Sequence, residues 1–300
     1  MDLFKNDREE TSASLGASTI LLLSGDSSAV KKKPPKRQPA WLYPWSAERR
    51  YSRTLVKHMD NIGKIILDIY MPHLESLTEE RDLLNPGIVQ KVDDYAEAAE
   101  RLSESAKLNV ENSPNRIVKK SVAMSIANEV NVWNSKEWQK QLRAAFGVNV
   151  FNREPFINAS INSFTIENVA LITNMEATAL NQVAGVVQKG LRQGASAPTI
   201  AKDIQKRIDV SKSRAQFIAR DQVGKLNGEL TALRQTNLGV TTYIWRTSQD
   251  ERVRATHSAH NGKKFRWDRP PSNTGAPGQD YQCRCYAEAN FDDIFKEINE

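Results

Sequence analysis

Two of the four histidines and both cysteines of this 300-residue chain fall between Tyr243 and Phe291. His257 and His260 stand three residues apart, and Cys283 and Cys285 flank one arginine. The loop between the pairs holds Pro270, Pro271, Gly275, Pro277 and Gly278, residue types that suit a chain turning back on itself. Imidazole nitrogen and thiolate sulfur are donors zinc prefers, and a tetrahedral ion would hold sulfur at about 2.3 Å and nitrogen at about 2.0 Å. His257, His260, Cys283 and Cys285 are therefore a candidate zinc set. Metal binding would lend such a loop-rich module folding free energy on the order of 10 kcal/mol.

The same residues support two other readings. His257 can centre a metal-free, hydrogen-bonded cluster, with the cysteines as small packing residues that strand alternation sends to one face. Asp250, His257, His260 and Asn261 superficially suggest a metal-dependent nuclease or hydrolase, and Cys283 with His257 a thiol nucleophile. No second acidic or histidine ligand set stands at a persuasive spacing, so no catalytic residue is assigned. Asp250 follows a strand pattern and, with Arg252 or Arg254, reads as a structural ion pair.

Several elements must position these side chains. Val240 to Thr247 is rich in β-branched and aromatic residues and reads as a strand. Lys263 to Trp267 and Cys285 to Asn290 read as two more, forming a small sheet against a helix from Phe217 to Asn237. Upstream, Leu55, Met59, Ile62, Ile66, Ile69 and Tyr70 share one face of a helix that begins near Ser46 and ends or kinks at Pro72. Further helices are expected from about Pro86 to Leu108, Pro114 to Ala145 and Arg153 to Arg192. A short helix from Ala197 to Ile208 is expected before the 217–237 helix, with Ser211 or Ser213 as the intervening cap. Helix-turn-helix is a tempting label for that pair, but Arg207, Lys212 and Arg214 serve as well as solvated charges. The fold class is α+β, mainly helical, with long helices followed by a small C-terminal β-containing module.

Residues 1–45 read as a flexible basic and aromatic arm. Lys31, Lys32, Lys33, Lys36 and Arg37 are interleaved with prolines that keep the backbone extended, and Trp41, Tyr43 and Trp45 follow at alternate positions. Such an arm can be a tail anchored by its aromatics on its own domain, a docking arm for a partner, or a DNA contact. The formal charge of +6 permits nucleic acid or an acidic surface and proves neither. The remaining segments are a helical region over 46–195, the His/Cys module over 196–291, and a short tail over 292–300. A disulfide across the single residue between Cys283 and Cys285 would be strained, which points to a reducing compartment. Ala17 to Gly25 is too short for a signal segment and no apolar run reaches about 20 residues, so a soluble chain is expected.

Trp245, Thr247, Asp250, Arg254, His257, Gly262, Phe265, Pro277-Gly278 and Cys283-Arg284-Cys285 occur here in one order, preceded by Ala219-Arg220-Asp221-Gln222, Asn227, Arg234 and Gly239. This series, over roughly residues 197–290, resembles the phage Mu F-like family of head morphogenesis proteins. The resemblance implies a structural, low-copy minor capsid protein of a tailed bacteriophage rather than an enzyme. It implies capsid assembly at the portal vertex, a place inside the virion head, and host cytoplasm during assembly. Implied partners are the portal protein, capsid or scaffolding protein and, non-specifically, the packaged DNA with which it leaves on ejection; no membrane is implied. In the family, Asp250 and the basic residue after it look like internal wiring. Related proteins often carry cysteine pairs at His257 and His260, and a histidine three residues before the Cys-Arg-Cys, where this chain has Asp280.

Overall fold

From Trp45 to Asn237 the described residues are mainly helical in the computed structural model, which describes residues 19–21, 29–35, 38–82, 92–149, 154–249 and 253–300. The elements are α1 (Trp45–Tyr70), a 3-10 turn at Met71–His73 containing Pro72, α2 (Leu74–Asp82), α3 (Val92–Glu111), α4 (Lys119–Phe146), α5 (Ile157–Arg192) and α6 (Ala197–Asn237). Next come β1 (Thr242–Arg246), α7 (Ala255–His260), β2 (Lys264–Arg266), β3 (Tyr286–Ala289) and α8 (Asp292–Asn299). The expected α+β, mainly helical class is what the chain adopts. Among the described residues, no helix is long and apolar enough to cross a membrane.

One expected break is absent. α6 runs without interruption through Val210-Ser211-Lys212-Ser213, so there is no short helix followed by a turn. Ser211 Oγ donates to the Arg207 carbonyl at 2.9 Å and Ser213 Oγ to that of Asp209 at 3.2 Å. Each serine thus bonds back to the preceding turn of the same helix instead of capping a new one. The buried stripe continues through the site as Ile200, Ile204, Ile208, Ser211, Ala215, Ile218 and Ala219, at spacings of three and four.

The chain divides into two compact units, one made of Met1–Glu48, Met124–Thr165 and Arg220–Glu300, the other of Arg49–Ala123 and Ile166–Ala219. The second unit buries Leu55, Met59, Ile62 and Ile66 of α1, with Ile172, Ile204 and Ile208. Within it His58 Nε2 lies 2.6 Å from Glu176 Oε1, and Lys119 Nζ donates to the other carboxylate oxygen.

The first unit carries the sheet, in the order β2-β1-β3 and wholly antiparallel. Tyr243 faces Phe265 on one side and Ala289 on the other, and Trp245 faces Ala287. A core of Trp41, Trp138, Leu142, Phe146, Leu238, Phe291 and Phe295 closes this unit. Arg234 of α6 is buried beside it, forked onto Glu154 at 2.8 and 2.7 Å and bonded to Asn131 and Asn134.

The described part of the segment read as a flexible arm is held by this unit. Lys31 donates its backbone N–H to the Phe146 carbonyl and its Nζ to that of Ala144. Pro39 and Ala40 offer their carbonyls to Gln141 and Lys140. Lys36 and Arg37 lie outside the described residues.

Candidate metal centre

Two sets of contacts assemble the site. In the first, α7 is pinned to the end of β1: Gly262 N–H donates to the Trp245 carbonyl at 2.8 Å, Trp245 N–H to that of Lys263, and Thr247 N–H to Asn261 Oδ1. Gly262, at φ +79°, makes the left-handed turn that leads from α7 into β2. The result seats His257, buried, edge-on to the Trp245 ring with centroids 5.4 Å apart.

In the second, α6 presents a glycine face to the returning loop. A Cβ at Gly228 would stand 2.5 Å from the Pro277 carbonyl oxygen, and one at Gly224 2.8 Å from that of Cys283. Only glycine lets the two backbones come this close. Gln282 takes a left-handed conformation, φ +52°, which is uncommon outside glycine. It is held there by α6: Asp221 Oδ1 accepts its N–H at 3.0 Å and Arg220 Nη1 donates to its side-chain oxygen at 2.9 Å. From this pivot the backbone extends, so that Cys283, Cys285, Ala287 and Ala289 are buried in alternation.

The His and Cys side chains then meet. His257 Nδ1 lies 3.5 Å from Cys283 Sγ and 3.4 Å from Cys285 Sγ, and the three donor atoms all fall within 4.8 Å of one another. Asp280 Oδ2 sits 3.0 Å from the other ring nitrogen, Nε2, and accepts from Arg254 Nη1 at 3.3 Å. Gly278 N–H donates to Cys283 Sγ. The Cys283 thiol is held well below the ordinary thiol range, chiefly by a hydrogen bond with Cys285 and then, against burial, by His257. The same bond to Cys283, with burial, pushes the Cys285 thiol up. The imidazole is raised, first by Cys283 and then by Asp280, against burial. His257, Cys283 and Cys285 also line a cavity of ≈ 120 Å³ shared with Arg220, Arg254 and Arg284.

Three of the four residues in the sequence-derived ligand set converge, and His260 does not join them. Its ring packs against Trp245 at 5.1 Å and Phe265 at 5.2 Å, an aromatic role that removes it from the donor cluster. Asp250 and Arg252 of the expected ion pair lie outside the described residues; Arg254 forks to Asp280 and the Tyr281 carbonyl. Trp41, read as a partner contact, is core, 4% exposed and packed near Trp138 and Phe291. Tyr43 is half-buried, whereas Lys31, Lys32, Lys33 and Trp45 are exposed. Asp280, Asp221 and Gln282 were not assigned to the site from sequence. The available signal was the joint occurrence of the Ala219 to Gln222 run and the Cys-Arg-Cys in one ordered series.

Residues 181–288 match the family model described as Phage Mu protein F like protein. The segment from late α5 through β3 is therefore similar to the phage Mu F-like family, the resemblance its ordered motif residues carry. An uncharacterized protein of Haemophilus influenzae is 32% identical over 199 residues, covering 64% of this chain and 44% of that protein. The alignment thus spans less than half of the relative's length. No solved structure matches.

Proposed function

We propose that the chain is a minor capsid protein of a tailed bacteriophage, acting in head morphogenesis and placed inside the head at the portal vertex. The observation that carries this reading is the family match over residues 181–288, which coincides with the α6 and sheet assembly built around Trp245. The rest of the chain supports it through long helices suited to assembly contacts. Exposed Lys31, Lys32, Lys33 and Trp45 are the described residues through which a portal subunit, a capsid or scaffolding subunit, or packaged DNA would be met.

Co-expression with the cognate portal protein tests the placement. The two should co-purify, and Trp45→Ala should weaken the association. Separate migration of the two proteins at all salt concentrations would contradict it. A DNA contact through the lysines would weaken steeply as salt is raised.

The contacts from Cys283 through His257 to Asp280 have the form of nucleophile, base and orienting carboxylate, and they support a second reading as a hydrolase. Cleavage of DNA, peptide or cell wall by the purified chain, abolished in both His257→Ala and Cys283→Ser, would favour this reading over the structural one.

A further inference from the structure

We propose that His257, Cys283 and Cys285 bind one zinc-class divalent cation, through Nδ1 and the two sulfurs, with the fourth coordination position left to a water molecule from the arginine-lined cavity. The first argument is metric. A tetrahedral ion with sulfur at about 2.3 Å and nitrogen at about 2.0 Å requires nitrogen-to-sulfur edges of roughly 3.5 Å. The two edges at His257 Nδ1 are 3.5 and 3.4 Å. A nucleophile needs one thiol beside its base; here the ring nitrogen faces two sulfurs equally, which is the arrangement of a ligand set.

The second argument concerns the surroundings of the ligands. Metal-bound imidazole usually has its other ring nitrogen on a carboxylate, a backbone carbonyl or a water, which fixes the tautomer and aims the lone pair at the metal. Asp280 occupies that position at Nε2 and is itself held by Arg254. The Gly278 N–H directed at Cys283 Sγ favours thiolate, the form that ligates. Thiolate sulfur with imidazole nitrogen selects zinc over the hard cations calcium and magnesium. The cavity that the three ligands line, ≈ 120 Å³, has ample room for one water.

The third argument is that much of the local fold serves this convergence. A left-handed Gln282, a helix face opened by Gly224 and Gly228, and a glycine turn after α7 all act to bring Cys283 and His257 together. Left-handed non-glycine backbone is costly and is retained where the surrounding structure fixes it.

The test uses the full-length chain purified under reducing conditions, with zinc and cobalt as probes. Elemental analysis should find about one zinc per chain, or uptake of one on titration, and the cobalt form should show thiolate-to-cobalt charge-transfer absorption. His260→Ala should retain both, because its ring is not a ligand. Cys285→Ser should lose the stoichiometric binding, and Asp280→Asn should weaken zinc affinity about 10- to 100-fold. Zinc should also protect both thiols of the unaltered chain from alkylation, a readout that does not depend on any variant folding. The proposal is overturned if the folded wild-type chain binds no more zinc than the Cys283→Ser, Cys285→Ser double variant, or if alkylation proceeds equally with and without zinc. Loss of binding in His260→Ala with retention in Cys285→Ser would also overturn it.

Discussion

Asp280 Oδ2 stands 3.0 Å from Nε2 of His257, the ring nitrogen that the sulfurs do not face. The carboxylate thereby satisfies a buried imidazole and ties it to Arg254 on the loop before α7. Asp280→Ala leaves that nitrogen unpaired, at an expected cost of about 1–3 kcal/mol in urea unfolding. Unchanged stability in the variant would show that the contact carries no weight.

Gly228 and Gly185 make a paired test of close packing. Gly228→Ala forces a Cβ to within 2.5 Å of the Pro277 carbonyl, which cannot move without shifting the loop to Cys283. An expected loss of about 1–3 kcal/mol should be accompanied by faster hydrogen exchange across residues 277–285. Gly185→Ala, in α5 with nothing within 4 Å of its Cβ, should be neutral or stabilising by up to about 1 kcal/mol. Equal effects at the two positions would contradict the packing argument.

Arg234 holds the first unit together through charge that has no access to water. Its side chain is fully buried and forks onto Glu154 while bonding Asn131 and Asn134. Arg234→Ala removes the partner of Glu154, whose side chain is 22% exposed, and leaves Asn131 and Asn134 short of a donor, at an expected cost of about 1.5–3 kcal/mol. Arg234→Lys keeps the charge without the planar fork and should recover only part of the loss. Chemical denaturation of both variants measures this; a lysine variant as stable as the wild type would remove the role given to the fork.

In the second unit, Glu176 gives the stability a pH dependence. Burial works against its ionised carboxyl, and hydrogen bonds from His58 and Lys119 outweigh that cost, so its pKa is held below the usual carboxylate range. A carboxyl with a depressed folded pKa stabilises the protein above its unfolded pKa, and the contribution is lost as pH falls through the lower folded value. Unfolding free energy should therefore decline between about pH 5 and 3, and Glu176→Gln should flatten that decline. Parallel curves for the two proteins would exclude Glu176 as the source.

Much of the C-terminal module was legible because its signals are local. The β-branched run from Val240 and the alternation from Cys283 to Ala289 define strands, and the prolines and glycines between 270 and 278 mark a returning loop. What was not legible depends on the third dimension. His257 and His260 sit on the same short helix, and spacing alone cannot show that one ring meets sulfur while the other wedges between Trp245 and Phe265. Asp221 and Gln282 are joined only in space. Ser211 and Ser213 looked like helix caps because serine serves both there and, by bonding back one turn, inside a helix; the unbroken stripe from Ile200 to Ala219 decides it. The long helices before α6 were recognised by periodicity with starts up to six residues early, the short α2 was not foreseen, and Pro72 was correctly a point of interruption.

The most direct measurement of the proposed role is quantitative mass spectrometry of purified heads from the phage or prophage encoding the chain, with and without its gene. The chain is expected inside intact heads at a small number of copies relative to the major capsid protein, and its deletion should lower the yield of DNA-filled heads. Heads that lack the chain altogether, and that form and fill normally when the gene is deleted, would contradict a head-morphogenesis function.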